Sequence, residues 1–103
     1  MRQLADGLWS WPARHPEWHP GEWGAEVVSF AVREPRRTLL VDPLVPDGLW
    51  DELDGVVQGP VEIAITNPYH VRSAETASAR YGAASIWGHP ACAKRLRDRS
   101  ALR

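Results

Sequence analysis

Thr66, Asn67, Tyr69, His70, Arg72 and Ser73 fall within one short stretch, directly after the apolar run Val61-Glu62-Ile63-Ala64-Ile65. A buried strand that ends in a polar turn and leads into a helix carries such side chains to its carboxyl end. In α/β proteins that is where ligands and reacting groups gather. His70 is the turn's one base near neutral pH, and Arg72 is a permanent cation with no lone pair to donate. The turn holds no carboxylate. Zinc requires about three or four N, O or S donors at fixed distance, so this set of side chains falls short of a metal shell. No metal and no cofactor is therefore expected.

Each of these residues has a plainer role beside the chemical one. Arg72 is either a surface arginine ahead of a helix or a guanidinium held by Asp42 or a neighbouring acceptor, open to a small anionic ligand. His70 is either a hydrogen-bonded histidine at a strand end or a general base, and no Ser-His or Cys-His pairing is evident to activate it. His89, before Pro90, reads as a cap or turn residue. Cys92 stands among small residues, where a buried, inert thiol is the usual outcome. Asp42, Thr66, Asn67, Tyr69, Ser73 and His89 form the pocket or structural set around the two catalytic candidates, His70 and Arg72. Elsewhere, His15 and His19 stand four apart around Glu17, with Glu22 close behind, but Pro16 and Pro20 oppose the helix that a shared metal would need.

The elements that must position this turn are legible from pattern. Val27 to Val32 and Thr38 to Asp42 flank the charged, proline-containing turn Arg33-Glu34-Pro35-Arg36-Arg37, which predicts a β-hairpin. Asp47 is a candidate N-cap for a short helix with Leu49, Trp50, Leu53 and Val56 on one face. Gly59-Pro60 ends it, and the nearly continuous apolar run from Val61 to Ile65 reads as a central strand. Ser73 is a candidate N-cap, Glu75 suits a first turn, and Gly82 after Tyr81 marks the helix stop. A further strand is expected over residues 84–87, then a last helix with Pro90 in its first position. Upstream, Leu8 to Trp23 interleaves four tryptophans with Pro12, Pro16 and Pro20. That predicts an irregular or extended segment with only a short strand near Leu8 to Trp11.

Strands alternating with helices after Asp47 imply right-handed crossovers and a parallel section of sheet. The chain thus divides into a Trp/Pro-rich segment (1–25), a core (26–96) and a basic tail (97–103) expected to be a fraying helix end, all within one domain. Its 103 residues suit a single small core, and 44% hydrophobic with 24% charged residues argue against wholesale disorder. The formal net charge of −1 gives no overall attraction to nucleic acid or anionic membrane. With Cys92 as its lone cysteine the chain forms no internal disulfide, and a cytoplasmic setting is the default. No apolar run reaches signal-peptide or bilayer length, so neither export nor a membrane partner is expected.

The element order, together with Leu39-Leu40-Val41-Asp42-Pro43, Ala64-Ile65-Thr66 and Ala79-Arg80-Tyr81-Gly82-Ala83, resembles the amino-terminal half of the metallo-β-lactamase superfamily. The resemblance covers roughly residues 26–96. It implies half of an αββα sandwich: a mixed sheet with a hairpin followed by β-α-β-α units. In that family the strand after the first helix runs into a His-x-His-x-Asp-His turn that binds metal. If His70 matches the second histidine, Pro68, Arg72 and Ser73 stand at the other three places. If Asn67 takes the first place, Tyr69, Val71 and Arg72 stand at the others. Neither register leaves enough ligands, and Asp42 alone speaks for fold rather than activity.

Two classes of function follow from the resemblance. One is a metallo-β-lactamase-like domain without metal, non-catalytic, with a binding or structural role or existing as a truncated domain. A lone half would expose the sheet face that its counterpart covers, so a second copy or a second half-domain is the expected partner. The other is a hydrolase whose remaining site residues lie outside this chain, or one that acts without metal through His70. Nucleic-acid binding by the basic tail has local charge in its favour and no motif.

Overall fold

The computed structural model describes residues 1–14, 26–83 and 85–103. Among these, six strands form one mixed sheet in the order in which they occur along the chain: β1 (Arg2–Ala5), β2 (Leu8–Arg14), β3 (Glu26–Arg33), β4 (Thr38–Val41), β5 (Val61–Ala64) and β6 (Ile86–Trp87). The first four pair antiparallel, and β4, β5 and β6 pair parallel. The expected β3–β4 hairpin is present, with Phe30 opposite Val41 and Arg33 opposite Thr38. Two helices connect the parallel strands, α1 (Trp50–Val56) and α2 (Ala74–Tyr81). Asp47 opens a 3-10 turn ahead of α1 and its side chain makes no cap bond; Pro46 is the preceding cap residue. Gly82 ends α2 at φ 62°, the left-handed conformation that only glycine adopts without cost.

The sheet begins earlier than pattern predicts. β1 has no counterpart in the expected elements, and β2 runs through Pro12 to Arg14. Ala5 pairs with Leu8 across the two-residue turn Asp6-Gly7, where Gly7 has φ 73° and a Cβ would lie 2.6 Å from the Arg33 carbonyl oxygen. Pro12 is tolerated because the β1 ladder reaches only Ser10, so no strand on that side needs its missing N–H. The core therefore draws on the first segment too: Trp11 is 1% exposed and its indole Nε1 donates to the Leu44 carbonyl at 2.9 Å.

One face of the sheet carries the core. Trp11, Ala31, Leu40, Ile63 and Ile86 join Leu53 and Val56 of α1 and Ala74 and Ala77 of α2 in a single buried cluster. The alternate positions form the opposite face. There Phe30, Val41, Ala64 and Trp87 line up across β3 to β6, half-buried except for Trp87, which is exposed. On that face Val28 and Trp87 are each 48% exposed.

The last residues also depart from expectation. Pro90–Arg95 is a 3-10 segment, Leu96 is buried, and Leu102 forms a parallel bridge with Ile86. Arg103 N–H donates to Ile86 O at 2.8 Å, so residues 102 and 103 extend the sheet beside β6 instead of fraying as a helix. An unpaired edge strand favours this, because it offers backbone partners that a short helix end lacks. Among the described residues no helix is long and apolar enough to cross a membrane.

Candidate functional site

The carboxyl ends of β4 and β5 bring Asp42, Thr66, His70 and Arg72 together. Asp42 N–H donates to Ala64 O at 2.9 Å, which continues the parallel ladder one residue past β4 and fixes the backbone there. Its carboxylate, 8% exposed as a residue, turns toward the loop after β5. Oδ1 accepts from Thr66 N–H at 2.7 Å and Oδ2 from the Thr66 hydroxyl. His70 Nδ1 comes within 3.1 Å of the same Oδ2, an ion pair when the imidazole is protonated, though out of line for a hydrogen bond. Asp42 therefore supplies the partner for His70 that the linear sequence does not reveal.

Arg72 is held by carbonyls rather than by the carboxylate. Its Nη1 donates to Asp42 O at 2.7 Å and to Val28 O at 3.3 Å, while the buried Nε meets no acceptor. Burial pushes the guanidinium below its usual range, and the nearby Asp42 charge partly restores it. The physical reason for this arrangement is occupancy: Thr66 and His70 already crowd the carboxylate, so the arginine reaches the backbone oxygen behind it.

The other predicted site residues divide by role. Asn67 Oδ1 accepts from Tyr69 N–H at 2.9 Å and caps the 3-10 turn Pro68–His70. Ser73 makes no side-chain cap for α2; its hydroxyl accepts from Val45 N–H at 2.9 Å, and its own N–H donates to Pro43 O at 2.8 Å. It thus ties the loop after β4 to the loop after β5. His89 caps the 3-10 segment at Pro90, its Nδ1 accepting from Ala91 N–H at 3.0 Å, and joins neither Asp42 nor His70. Cys92 is fully buried. Tyr69, 68% exposed, lies outside the Asp42 cluster with the Arg95 guanidinium 4.4 Å from its ring centroid.

Ser29 also belongs to this site, outside the polar turn that the sequence singles out. Fully buried on β3, its hydroxyl donates to Asp42 O at 2.8 Å and accepts from Leu44 N–H at 2.9 Å. The Asp42 carbonyl is thereby gripped by both Ser29 and Arg72. A lone hydroxyl inside the apolar run Val27 to Val32 is the signal that marks it, since a buried polar group needs partners.

The side chains present do not fit a zinc ion. Asp42 and His70 are two donors, one of them already committed to Thr66, and a permanent cation lies at the same loop. Among the described residues no three His, Cys, Asp or Glu side chains converge as a metal shell would require. The His15 and His19 pair lies outside the described residues. The arrangement can fix an imidazole against a carboxylate and present cationic donors at the strand ends. Compared with known proteins, the chain matches no protein-family model and no curated protein.

Proposed function

We propose that this chain is a metallo-β-lactamase-like half-domain that works by binding, without a metal and without catalysis. The observation that carries the reading is the Asp42 cluster. An aspartate at the end of the hairpin and a turn after the next strand stand where the resemblance expects a metal site, yet Thr66 donates to both oxygens of the Asp42 carboxylate, His70 Nδ1 is the one further donor atom beside it among the described residues, and the Arg72 guanidinium sits at the Asp42 carbonyl. The second sheet face, with Phe30, Val41 and Ala64 half-buried and Trp87 exposed in one register, supports the half-sandwich: it is the face that a second layer would cover. That layer is a second copy of the chain or another half-domain. Zinc uptake of purified protein, measured together with anion-dependent thermal stability in wild type and Arg72→Ala, tests the reading. Stoichiometric zinc held by Asp42 and His70 would overturn it.

One observation favours the hydrolase alternative. His70 Nδ1 lies 3.1 Å from the Asp42 carboxylate, and a ring turned into line would gain the hydrogen bond that orients a general-base histidine. Turnover of a simple ester or lactam, with and without added zinc, decides between the two, and activity that disappears in His70→Ala would establish the enzyme.

A further inference from the structure

The loops that follow β5 and β6 meet at the carboxyl ends of those parallel strands, and a cleft opens between them. One part has a volume of about 500 Å³ and is walled by Tyr69, Lys94 and Arg95. The other, of about 340 Å³, is walled by Arg72, Glu75, Arg97 and again Arg95. Both lie within the range of small-molecule sites, roughly 300–1,000 Å³. Lys94, Arg95 and Arg97 therefore border these two adjoining hollows, with Arg95 on both, in a chain whose formal net charge is −1; Arg72 lines the second, but its Nη1 is held by the Asp42 and Val28 carbonyls. The one carboxylate, Glu75, is already committed: its oxygens accept from Arg97 and Asp98 N–H at 3.0 to 3.2 Å.

Arg37 is paired with Glu34 and Glu62, and Arg80 with Asp54. Among the described residues no carboxylate forms an ion pair with Lys94, Arg95 or Arg97, and no acceptor hydrogen-bonds the Arg95 guanidinium. Arg2, Arg36 and Arg99 also form no ion pair among these residues; what sets this region apart is that Lys94, Arg95 and Arg97 border adjoining hollows that share Arg95. Arg95 lies on the Tyr69 ring at 4.4 Å, which satisfies the flat face of its guanidinium and leaves the in-plane N–H fork for an anion. A dianion bound here relieves the mutual repulsion of the cations and gains charge-assisted hydrogen bonds.

We infer that this cleft binds a phosphate-bearing small molecule, its anionic group held by Arg95, Arg97 and Lys94 and its body lying against Tyr69. The inference deepens the reading of the chain as a binding domain and rests on it. Calorimetric titration of the full chain with pyrophosphate in EDTA tests it. Wild type and Arg36→Ala, a cation on the distant hairpin turn, are expected to show one saturable site. Arg95→Ala is expected to weaken it at least ten-fold, and raised ionic strength to weaken it in both intact proteins. Lys94, Arg95 and Arg97 are exposed, so their substitution spares the core; the double variant Lys94→Glu/Arg97→Glu carries the same expectation as Arg95→Ala. No saturable binding by wild type, or equal binding by wild type and both cleft variants, overturns the inference. Zinc content, measured without pyrophosphate, separates the two proposals: zinc at the Asp42–His70 pair sinks the metal-free reading whatever the titration shows.

Discussion

Asp42 and Arg72 are the two non-glycine residues with positive φ among the described residues, at 48° and 46°, and they are joined by a 2.7 Å hydrogen bond from Arg72 Nη1 to Asp42 O. Left-handed backbone costs an ordinary residue roughly 1–2 kcal/mol. Two such residues facing each other persist only where surrounding bonds over-determine them, and such strain gathers at functional sites. Here the surrounding bonds are named: Ala64 O and Ser29 hold the Asp42 backbone, Thr66 its carboxylate, and Val28 O the Arg72 guanidinium.

Strain and contact at Arg72 separate by substitution. Arg72→Ala keeps the left-handed backbone and loses both carbonyl contacts, whereas Arg72→Gly loses the same contacts and relieves the strain. Chemical denaturation is expected to find the glycine variant more stable than the alanine variant by about 1 kcal/mol. Equal stabilities would mean that the turn relaxes when the guanidinium is removed.

At Asp42 the expected order runs through the acceptors. Asp42→Ala deprives Thr66 N–H and the Thr66 hydroxyl of their partner and places alanine at positive φ, a loss of about 3 kcal/mol. Asp42→Asn keeps one oxygen for Thr66 N–H and tolerates the left-handed backbone, so it is expected to lose less than half as much. Urea midpoints of the two variants check the ranking, and an asparagine variant as weak as the alanine one would show that the negative charge itself is what the loop requires.

Much of this fold was readable because its period is strong. The β3–β4 hairpin, the helix with Leu53 and Val56 inward, the Val61 strand and the Gly82 stop all follow from local pattern. β1 is not legible in the sequence although Asp6-Gly7 is a hairpin dipeptide, because Arg2-Gln3-Leu4-Ala5 has little apolar alternation and every one of its residues is exposed. At the site, the turn after β5 was found by its polarity. Ser29 and the Asp42–His70 approach were not, since both depend on register between segments 13 and 28 residues apart, which no local window contains.

Ser29→Ala tests the second grip on Asp42. Removing a hydroxyl that is fully buried leaves Leu44 N–H without an acceptor, an expected loss of about 1–3 kcal/mol. Because Leu44 O also receives the Trp11 indole, hydrogen exchange at the Leu44 amide is expected to accelerate more than exchange in α2. Uniform acceleration throughout the chain would point to global unfolding as the cause.

Asp54 joins the two helices: Arg80 Nε and Nη2 donate to it at 2.9 and 2.5 Å, and the Tyr81 hydroxyl at 2.7 Å, with the Arg80 guanidinium also 5.2 Å from the Trp50 ring centroid. Those donors hold its carboxyl down to about 2, against an ordinary 3.8. Burial and the same carboxylate push the Tyr81 hydroxyl up. A depressed folded pKa contributes stability above the unfolded value and loses it as pH falls through the folded one. Wild type is therefore expected to exceed Asp54→Asn in stability above about pH 4, with the difference shrinking toward pH 2. Because the group is exposed, salt is expected to narrow the gap as well. A difference that persists unchanged to pH 2 would assign the effect to hydrogen bonding by the neutral side chain.

The second sheet face supplies the last test. Phe30, Val41, Ala64 and Trp87 occupy one continuous row, and Trp87 stands 48% exposed at its end. A charge placed in that row costs little in the isolated chain, because Trp87 is outside the buried cluster, but it is expensive once a second layer covers the face. Light scattering after size exclusion is expected to give a dimer for wild type and a monomer for Trp87→Glu, with the two melting alike at low concentration. A wild-type chain that remains monomeric counts against a second copy as the covering layer, and mixing with a candidate half-domain then becomes the decisive titration.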